Sequence, residues 1–579
     1  MIKNQIMIDS VTFQYPGGEH PVLKDVSLSI NSGEFTAIIG SNGSGKSTLC
    51  KLLNGLIPHY YVGDFEGKVF VNGLLTTEHK VADLSHDVGY VYQDFENQLV
   101  CPRVLEEACF APLNFGYHDY KERGKRALDL VGLSSLEAEY IWQLSGGQKH
   151  LLALAGALSL DQNILIIDEP VAQLDPFHAK EVYEILRKLN KEHGKTIIVI
   201  EHHTEFIADY CESVVLMDAG KVVWKKQTKE ALQHVDFLME SQIYPPQVTQ
   251  AAYQLAQSEQ RELPVRIEEA IQFFTFPQKS DLGLEQSFQK TNKKGKLIEF
   301  KNVSFSYKMV NRTKKTVLTN LNLEIFHGDI VAVVGNNGAG KSSLMRLITG
   351  LVKPEQGDVT VKELNTRKFS PEKMADIVTY IYQNPEEMFI EDSVRKDVEF
   401  YLKARKVPGY DKVVDKVIEQ FELTHLQEKD SRLMSGGQQR RASLAIGVAM
   451  DPSIILLDEP TANLDIATRK HITKLISSLK EQVGAVMIAT HDMQLVAECA
   501  NRIIVLNNGE ILHDGTRESV FSNSELLKQA GLVPPQIVEL CRRLKLSPLA
   551  YTVDDFVQVF ERKELEHGIC SEIIRKTLS

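Results

Sequence analysis

The feature that most constrains this chain is an ordered set of motifs that occurs twice, about 290 residues apart. GSNGSGKS (40–47) recurs as GNNGAGKS (335–342), LSGGQ (144–148) as MSGGQ (434–438), and ILIIDEP (164–170) as IILLDEP (454–460). A histidine follows each acidic pair by about thirty residues, His202 in the first set and His491 in the second. One short motif arises by chance, but a whole series repeated in the same order marks a duplicated folding unit. Two related halves therefore account for most of the 579 residues.

Within each half, short apolar, β-branched runs alternate with longer amphipathic stretches. FTAIIG, NILIID and KTIIVIEH are the runs of the first half, and VAVVG, SIILLD and AVMIAT those of the second. Continuous apolar runs that stop at a glycine, acid or histidine fit parallel strands buried on both faces, which predicts an α/β fold with crossover helices. A helical subdomain is expected between each glycine-rich loop and each SGGQ, over 104–142 and 394–434. YPPQVTQAAYQL (244–255) matches VPPQIVELCRRL (533–544), and each Pro-Pro pair predicts the start of an amphipathic helix. From 256 to 296 the pattern weakens and ends in QKTNKKGK, the composition of a linker, before LIEFKNVSFSY restarts MIDSVTFQY. The expected division is a first core over 1–240, a helical extension and partly flexible linker over 241–296, a second core over 297–530 and a C-terminal helical extension over 531–579.

Composition serves here to exclude. A net charge of −12 argues against an extended nucleic-acid surface, so no nucleic-acid partner is expected. Cys50, Cys101, Cys109, Cys211, Cys499, Cys541 and Cys570 form no CxxC and no His/Cys ligand spacing, and they read as free thiols in a reducing cytosol. MIKNQIMIDS has neither the basic start nor the apolar core of a signal peptide. No uninterrupted apolar stretch approaches the roughly 20 residues a membrane helix requires, so a membrane, if involved, is spanned by another chain.

The motifs carry a definite chemistry. A glycine-rich loop that ends in GKS after a strand lets backbone N–H groups approach phosphates, adds the dipole of the following helix and supplies one lysine charge. Lys46 and Lys341 are expected against the β- and γ-phosphates of a nucleotide, and Ser47 and Ser342 on Mg²⁺. Four apolar residues and then Asp-Glu fit a strand that delivers acids to the same place. Asp168 and Asp458 would hold the metal through water, leaving Glu169 and Glu459 to orient and polarise the attacking water. SGGQ contains no base or nucleophile, but a serine hydroxyl and two glycine amides at a helix N-terminus make an anion site. Its simplest role is a helix cap. Its recurrence with everything else favours each signature closing over the γ-phosphate held by the other half.

Taken together, these motifs resemble the Walker A, Q-loop, signature, Walker B, D-loop and switch-histidine series of ATP-binding-cassette ATPases, over nearly the whole chain. The resemblance implies two tandem P-loop NTPase domains, each a RecA-like α/β core plus a helical subdomain, with ATP and Mg²⁺ as ligands. The nucleotide-binding positions it implies in the first loop are Gly40, Ser41, Asn42, Gly43, Ser44, Gly45, Lys46, Ser47 and Thr48. Those of the second are Gly335, Asn336, Asn337, Gly338, Ala339, Gly340, Lys341, Ser342 and Ser343. It further implies Gln93 and Gln383 as Q-loop residues that touch Mg²⁺ and communicate with a transmembrane partner, and Tyr15 and Tyr307 as the aromatics that stack on adenine. Asp175 and Asp465 correspond to the D-loop acids, and His202 and His491 to the switch histidines near the γ-phosphate. The signature positions are Ser145, Gly146, Gly147 and Gln148, and Ser435, Gly436, Gly437 and Gln438.

A narrower resemblance rests on YQDFENQLVCPRVLEEACFAP and YQNPEEMFIEDSVRKDVEF, which look like the segment that energy-coupling-factor (ECF) importers place after the Q-loop, and on the PPQ helices. It implies a fused two-cassette ATPase at the cytoplasmic face of the cell membrane, the cassettes pairing within one chain. Its partners would be an integral transmembrane-coupling subunit and a small solute-binding membrane subunit, with a vitamin, vitamin precursor or metal ion as cargo. Two other readings share the architecture: a soluble tandem-cassette translation factor acting on ribosomes, and the fused ATPase of a sugar importer. The first typically has a long basic helical linker, whereas the connector here is nearly charge-neutral. In the second one cassette usually lacks catalytic residues, and both sets are intact here. The halves nevertheless differ: KHL (149–151) stands against QRR (439–441), EHH (201–203) against THD (490–492), and Met434 replaces the usual leucine. Unequal hydrolysis at the two sites is therefore expected.

Overall fold

Five fully buried residues in succession form each of the strands Phe35–Ile39, Ile164–Asp168 and Thr196–Ile200, as the apolar runs predict. A strand with no exposed face needs cover on both sides, which a parallel sheet with crossover helices provides. In this computed structural model, which describes residues 4–171, 174–255, 262–274, 295–308 and 314–566, the chain divides into two units, Met1–Thr275 and Phe276–Ser579. The first unit orders its main sheet as Val88–Val91, Ile164–Asp168, Thr196–Ile200, Phe35–Ile39 and Ser213–Asp218, all parallel, with Lys221–Gln227 added antiparallel at the edge. The second unit repeats this order with Val378–Ile381, Ile454–Asp458, Ala485–Ala489, Ile330–Val334, Arg502–Asn507 and Glu510–Thr516.

Each unit also has a four-stranded antiparallel sheet, built on Asn4–Gln14 in the first and Lys296–Lys308 in the second. The alternating burial along Leu23–Asn31 fits a sheet with one face on the core. The predicted helical subdomains are present as Val104–Asn114 with Tyr120–Leu130, and as Val394–Ala404 with Tyr410–Gln420. They share a core with the parallel sheet: Val104, Leu128 and Leu152 belong to one buried cluster with Leu165 and Val199. No helix among the described residues is long and apolar enough to cross a membrane.

The closing helices begin directly after each Pro-Pro pair, at Gln247–Leu255 and Gln536–Arg543, with Pro535 as the cap residue of the second. The stretch read as a connector needs correction in its first part. Residues 262–274 contain the helix Ile267–Phe273, with Val265, Ala270 and Phe274 buried. Thr249 donates to the Pro264 carbonyl (2.7 Å) and Arg266 to that of Ala208 (2.7 Å), tying the segment to the first unit. LPVRIEEA (263–270) is the counterpart of LAYTVDDF (549–556), which leads the helix Val553–Glu566. A helix that buries only a narrow stripe leaves little periodic signal, and this part of the repeat is correspondingly faint. Most of QKTNKKGK, at 289–294, and Cys570 lie outside the described residues.

Candidate functional site

Each glycine-rich loop leaves the central strand through a place where no side chain fits. A Cβ on Gly40 would stand 2.3 Å from the Met217 carbonyl oxygen, and one on Gly335 2.2 Å from that of Leu506. The helices that follow, Lys46–Leu53 and Lys341–Ile348, are entered through left-handed Gly45 and Gly340 with no side-chain cap. Their first N–H groups are thus directed into the loop, the arrangement an anionic ligand requires. Lys46 Nζ donates to the carbonyls of Gly40 (2.8 Å) and Ser41 (2.9 Å), and Lys341 Nζ to those of Gly335 (2.7 Å) and Asn336 (3.4 Å). Tyr15 and Tyr307 are half-buried beside these helices, their hydroxyls 3.3 Å from Thr48 Oγ1 and 3.4 Å from Ser343 Oγ.

The acidic strands end at the same loops. Burial raises the Asp168 carboxyl above the usual carboxylate range; a hydrogen bond with Ser47 opposes this and the charge of Glu169 adds to it. Asp458 accepts a 2.5 Å bond from the Tyr380 hydroxyl on Oδ2, while its buried Oδ1 has no hydrogen-bond partner. Tyr90 makes the corresponding, longer bond to Asp168 (3.4 Å). These two tyrosines were not singled out from the sequence, although YVYQ and YIYQ place them three residues before each Q-loop glutamine.

Glu169 and Glu459 both hold left-handed backbone, φ 54 and 44. For a residue with a side chain this costs of order 1–3 kcal/mol, and such strain persists where surrounding structure over-determines it. In the first unit Glu169 accepts from Gln93 Nε2 (2.8 Å) and lies 3.3 Å from His202 Nε2. In the second, Glu459 contacts His491 Nδ1 (2.9 Å), accepts from the Thr490 hydroxyl (2.9 Å) and lies 3.8 Å from Lys341 Nζ. Burial works to raise the Glu459 carboxyl, but His491 and Lys341 outweigh it and hold it below its ordinary value. Burial likewise opposes charge on His491, and its bond to Glu459 overcomes that, raising the imidazole. Each partner thus favours the charged form of the other, the carboxylate on Glu459 and the imidazolium on His491.

The EHH departure is a substitution of one brace for another. Buried Glu201 accepts from the backbone N–H groups of His202 and His203 (both 2.8 Å) and from the Tyr183 hydroxyl (2.8 Å). Burial dominates and raises its carboxyl. Asp492 caps the helix Met493–Cys499 in the second unit, accepting from Gln494 (3.0 Å) and Leu495 (3.2 Å).

The signature residues lie at the starts of the helices Gly146–Leu158 and Gly436–Ala449, with Ser145, Gly146, Ser435 and Gly436 exposed and Gly147 buried. Ser145 and Gln148 form a capping box, with Gln148 N–H donating to Ser145 Oγ (3.2 Å) and Ser145 N–H to Gln148 Oε1 (3.0 Å). Gln438 Oε1 takes the Ser435 N–H in the same way (3.2 Å). Asp175 and Asp465 cap their own helices, accepting from His178 (3.1 Å) and Thr468 (2.8 Å).

His150, two residues past the first signature, is buried and its Nδ1 has no partner. Burial alone pushes its pKa down to about 4. The unfolded chain therefore takes up a proton that the fold refuses, and stability falls as pH drops from about 6.5 towards 4, by up to roughly 3 kcal/mol. His150→Phe removes this titration, so its melting temperature should fall less than the parent's between pH 7 and pH 4.5; parallel curves would contradict the assignment.

The family model described as ABC transporter matches residues 23–172 and 318–462. A relative from Caldanaerobacter subterraneus subsp. tengcongensis, provisionally named ABC transporter ATP-binding protein, is 33% identical over 93% of this chain and 96% of its own. A similarly named protein of Methanosarcina acetivorans is 32% identical over 98% and 95%. The solved structure of cbiO1 from Clostridium perfringens, described as part of the ABC transporter complex cbiONQ, is 29% identical. That likeness covers 43% of this chain and 98% of the other, with a TM-score of 0.38. With both phosphate loops, both acid pairs and both histidines assembled as described, the chain belongs to the ABC transporter ATP-binding family and is an ATPase with two tandem cassettes.

Proposed function

We propose that this ATPase is the energy-coupling subunit of an ECF-type importer, peripheral to the cytoplasmic face of the membrane and bound to separate integral subunits. The observation that carries the reading is a duplicated apolar step beside each Q-loop. A single 3₁₀ turn, Phe95–Gln98 or Pro385–Met388, follows each glutamine. It is followed in turn by an exposed apolar residue, Val100 at 62% or Ile390 at 61%. Phe110 and Phe400 are likewise exposed at equivalent places on the next helix. Apolar side chains held in water at matching positions in both halves fit a partner that presents two similar helices.

In this reading Ser47 with Asp168, and Ser342 with Asp458, hold Mg²⁺, to which the unpartnered Asp458 Oδ1 and the Ser47–Asp168 contact are suited. When bound, the metal neutralises phosphate charge. Lys46 and Lys341 hold the phosphates, Glu169 and Glu459 orient the attacking water, and His202 and His491 fix those carboxylates. Each signature completes the site of the other cassette, giving two composite ATP sites. The cargo is a vitamin, vitamin precursor or metal ion, which the ATPase itself never touches.

Purification in detergent from native membranes should recover a small multi-spanning membrane protein with the chain. Val100→Asp/Ile390→Asp should lose it while keeping the parent's melting temperature. Recovery of ribosomes in its place would overturn the importer reading.

A further inference from the structure

The two Q-loops are held in different ways. Arg440, only 2% exposed, stands in the helix Gly436–Ala449 that begins at the second signature. Its guanidinium donates to the carbonyl oxygens of Tyr382 (2.8 Å) and Gln383 (2.6 Å), and to that of Glu459 at 3.5 Å. One planar cation thus joins the signature helix, the Q-loop and the end of the acid-bearing strand. A fork of fixed donors suits that task and an ammonium does not.

The first unit carries His150 at the equivalent position, 3% exposed. Its ring lies flat on Phe95, with centroids 4.7 Å apart and planes within 8°. The second member of the pair changes with the first, since Phe95 stands where the other half has Pro385. The first Q-loop is braced by its own chain: Gln98 accepts from the Tyr92 N–H (3.3 Å) and donates to the Tyr90 carbonyl (3.2 Å). Lys149 reaches Glu96 at 2.7 Å, but this pair faces solvent, where salt screens it. A flat stack fixes separation and leaves sliding easy, whereas directed hydrogen bonds fix position.

The geometry points to Arg440 as a positioning residue that makes the second Q-loop move as one piece with its signature helix, while the Phe95–His150 stack lets the first Q-loop move separately. Gln383 is then pre-set for its ligand, and Gln93, which in the first unit lies on Glu169, must be recruited. The two ATP sites consequently differ in their demand for Mg²⁺, the second reaching half-maximal rate at the lower concentration. This last step rests on the reading of Gln93 and Gln383 as metal-site residues; the difference in loop anchoring does not.

Hydrogen exchange of the full chain without nucleotide tests the anchoring directly. Amides within 382–388 should exchange roughly tenfold more slowly than those within 92–98. Arg440→His should remove that difference, Arg440→Lys should restore part of it, and Phe95→Pro/His150→Arg should carry protection to the first loop. Equal exchange in the parent, or unchanged exchange of 382–388 in Arg440→His, overturns the proposal whatever the chain hydrolyses. In a Glu169→Gln background, Arg440→His should raise the Mg²⁺ concentration for half-maximal ATP hydrolysis several-fold. Slower exchange in 382–388 with no change in Mg²⁺ demand would leave the anchoring standing and overturn the metal-site role given to Gln383. A lower melting temperature with both readouts unmoved would make Arg440 a packing residue and overturn both.

Discussion

Glu169→Gln and Glu459→Gln introduced together should lower steady-state ATP hydrolysis by about 10² to 10⁴-fold, the contribution of a general base, or roughly 3 to 5 kcal/mol of barrier. The substitution keeps the volume of each side chain and removes its charge, so the loss is chemical and the fold is preserved. Each single variant should also cut turnover severely. Their local consequences differ because the two carboxylates are held differently. Glu459 is nearly buried between His491, Thr490 and Lys341, whereas Glu169 is more open, accepting from Gln93 and lying 3.3 Å from His202.

An amide at 459 cannot keep the proton of His491 in place, so the imidazole pKa should drop back from its raised value. Folding stability contributed by that raised pKa is present below the unfolded histidine value and is lost as pH climbs through the folded one. Glu459→Gln should accordingly flatten the pH dependence of stability above about pH 6.5. Steady-state ATP hydrolysis by each single variant, with a melting curve alongside, is the measurement. If one of them retains the parent's rate, that site is not catalytic and the general-base role of its glutamate fails.

Much of this is legible in the sequence, and the reason is local. A phosphate loop needs glycines at fixed spacing because backbone must approach backbone, as at Gly40 and Gly335, so the requirement is written into consecutive residues. Central strands buried on both faces show as unbroken apolar runs, and Ile164–Asp168 and Ile454–Asp458 end on the expected acids. What escaped were partners distant in sequence. Tyr380 reaches Asp458 across two neighbouring strands, Tyr183 reaches Glu201 from a packed helix, and Arg440 reaches carbonyls about sixty residues upstream. No spacing rule encodes such contacts. The difference between KHL and QRR was visible, but only the fold shows that one member of it grips a Q-loop and the other stacks on Phe95.

Lys341→Ala should weaken ATP binding at the second loop by about ten- to a hundred-fold, the worth of a charge-assisted hydrogen bond of roughly 1.5–3 kcal/mol. The ammonium is almost enclosed, held by the carbonyls of Gly335 and Asn336 and 3.8 Å from Glu459. It therefore needs only a short movement to meet a phosphate. Removing it also removes what ties the loop shut, while the backbone N–H groups and the helix Lys341–Ile348 remain. Binding should be reduced and not abolished, because the cradle is a backbone structure. Lys341→Arg should rescue poorly, since the enclosed space fits a compact point charge and not a planar fork. Equilibrium titration with a fluorescent ATP analogue, in a Lys46→Ala background so that one loop is counted, measures the effect. An affinity within twofold of that background would remove Lys341 from the phosphate site and leave the second cradle to its backbone N–H groups alone.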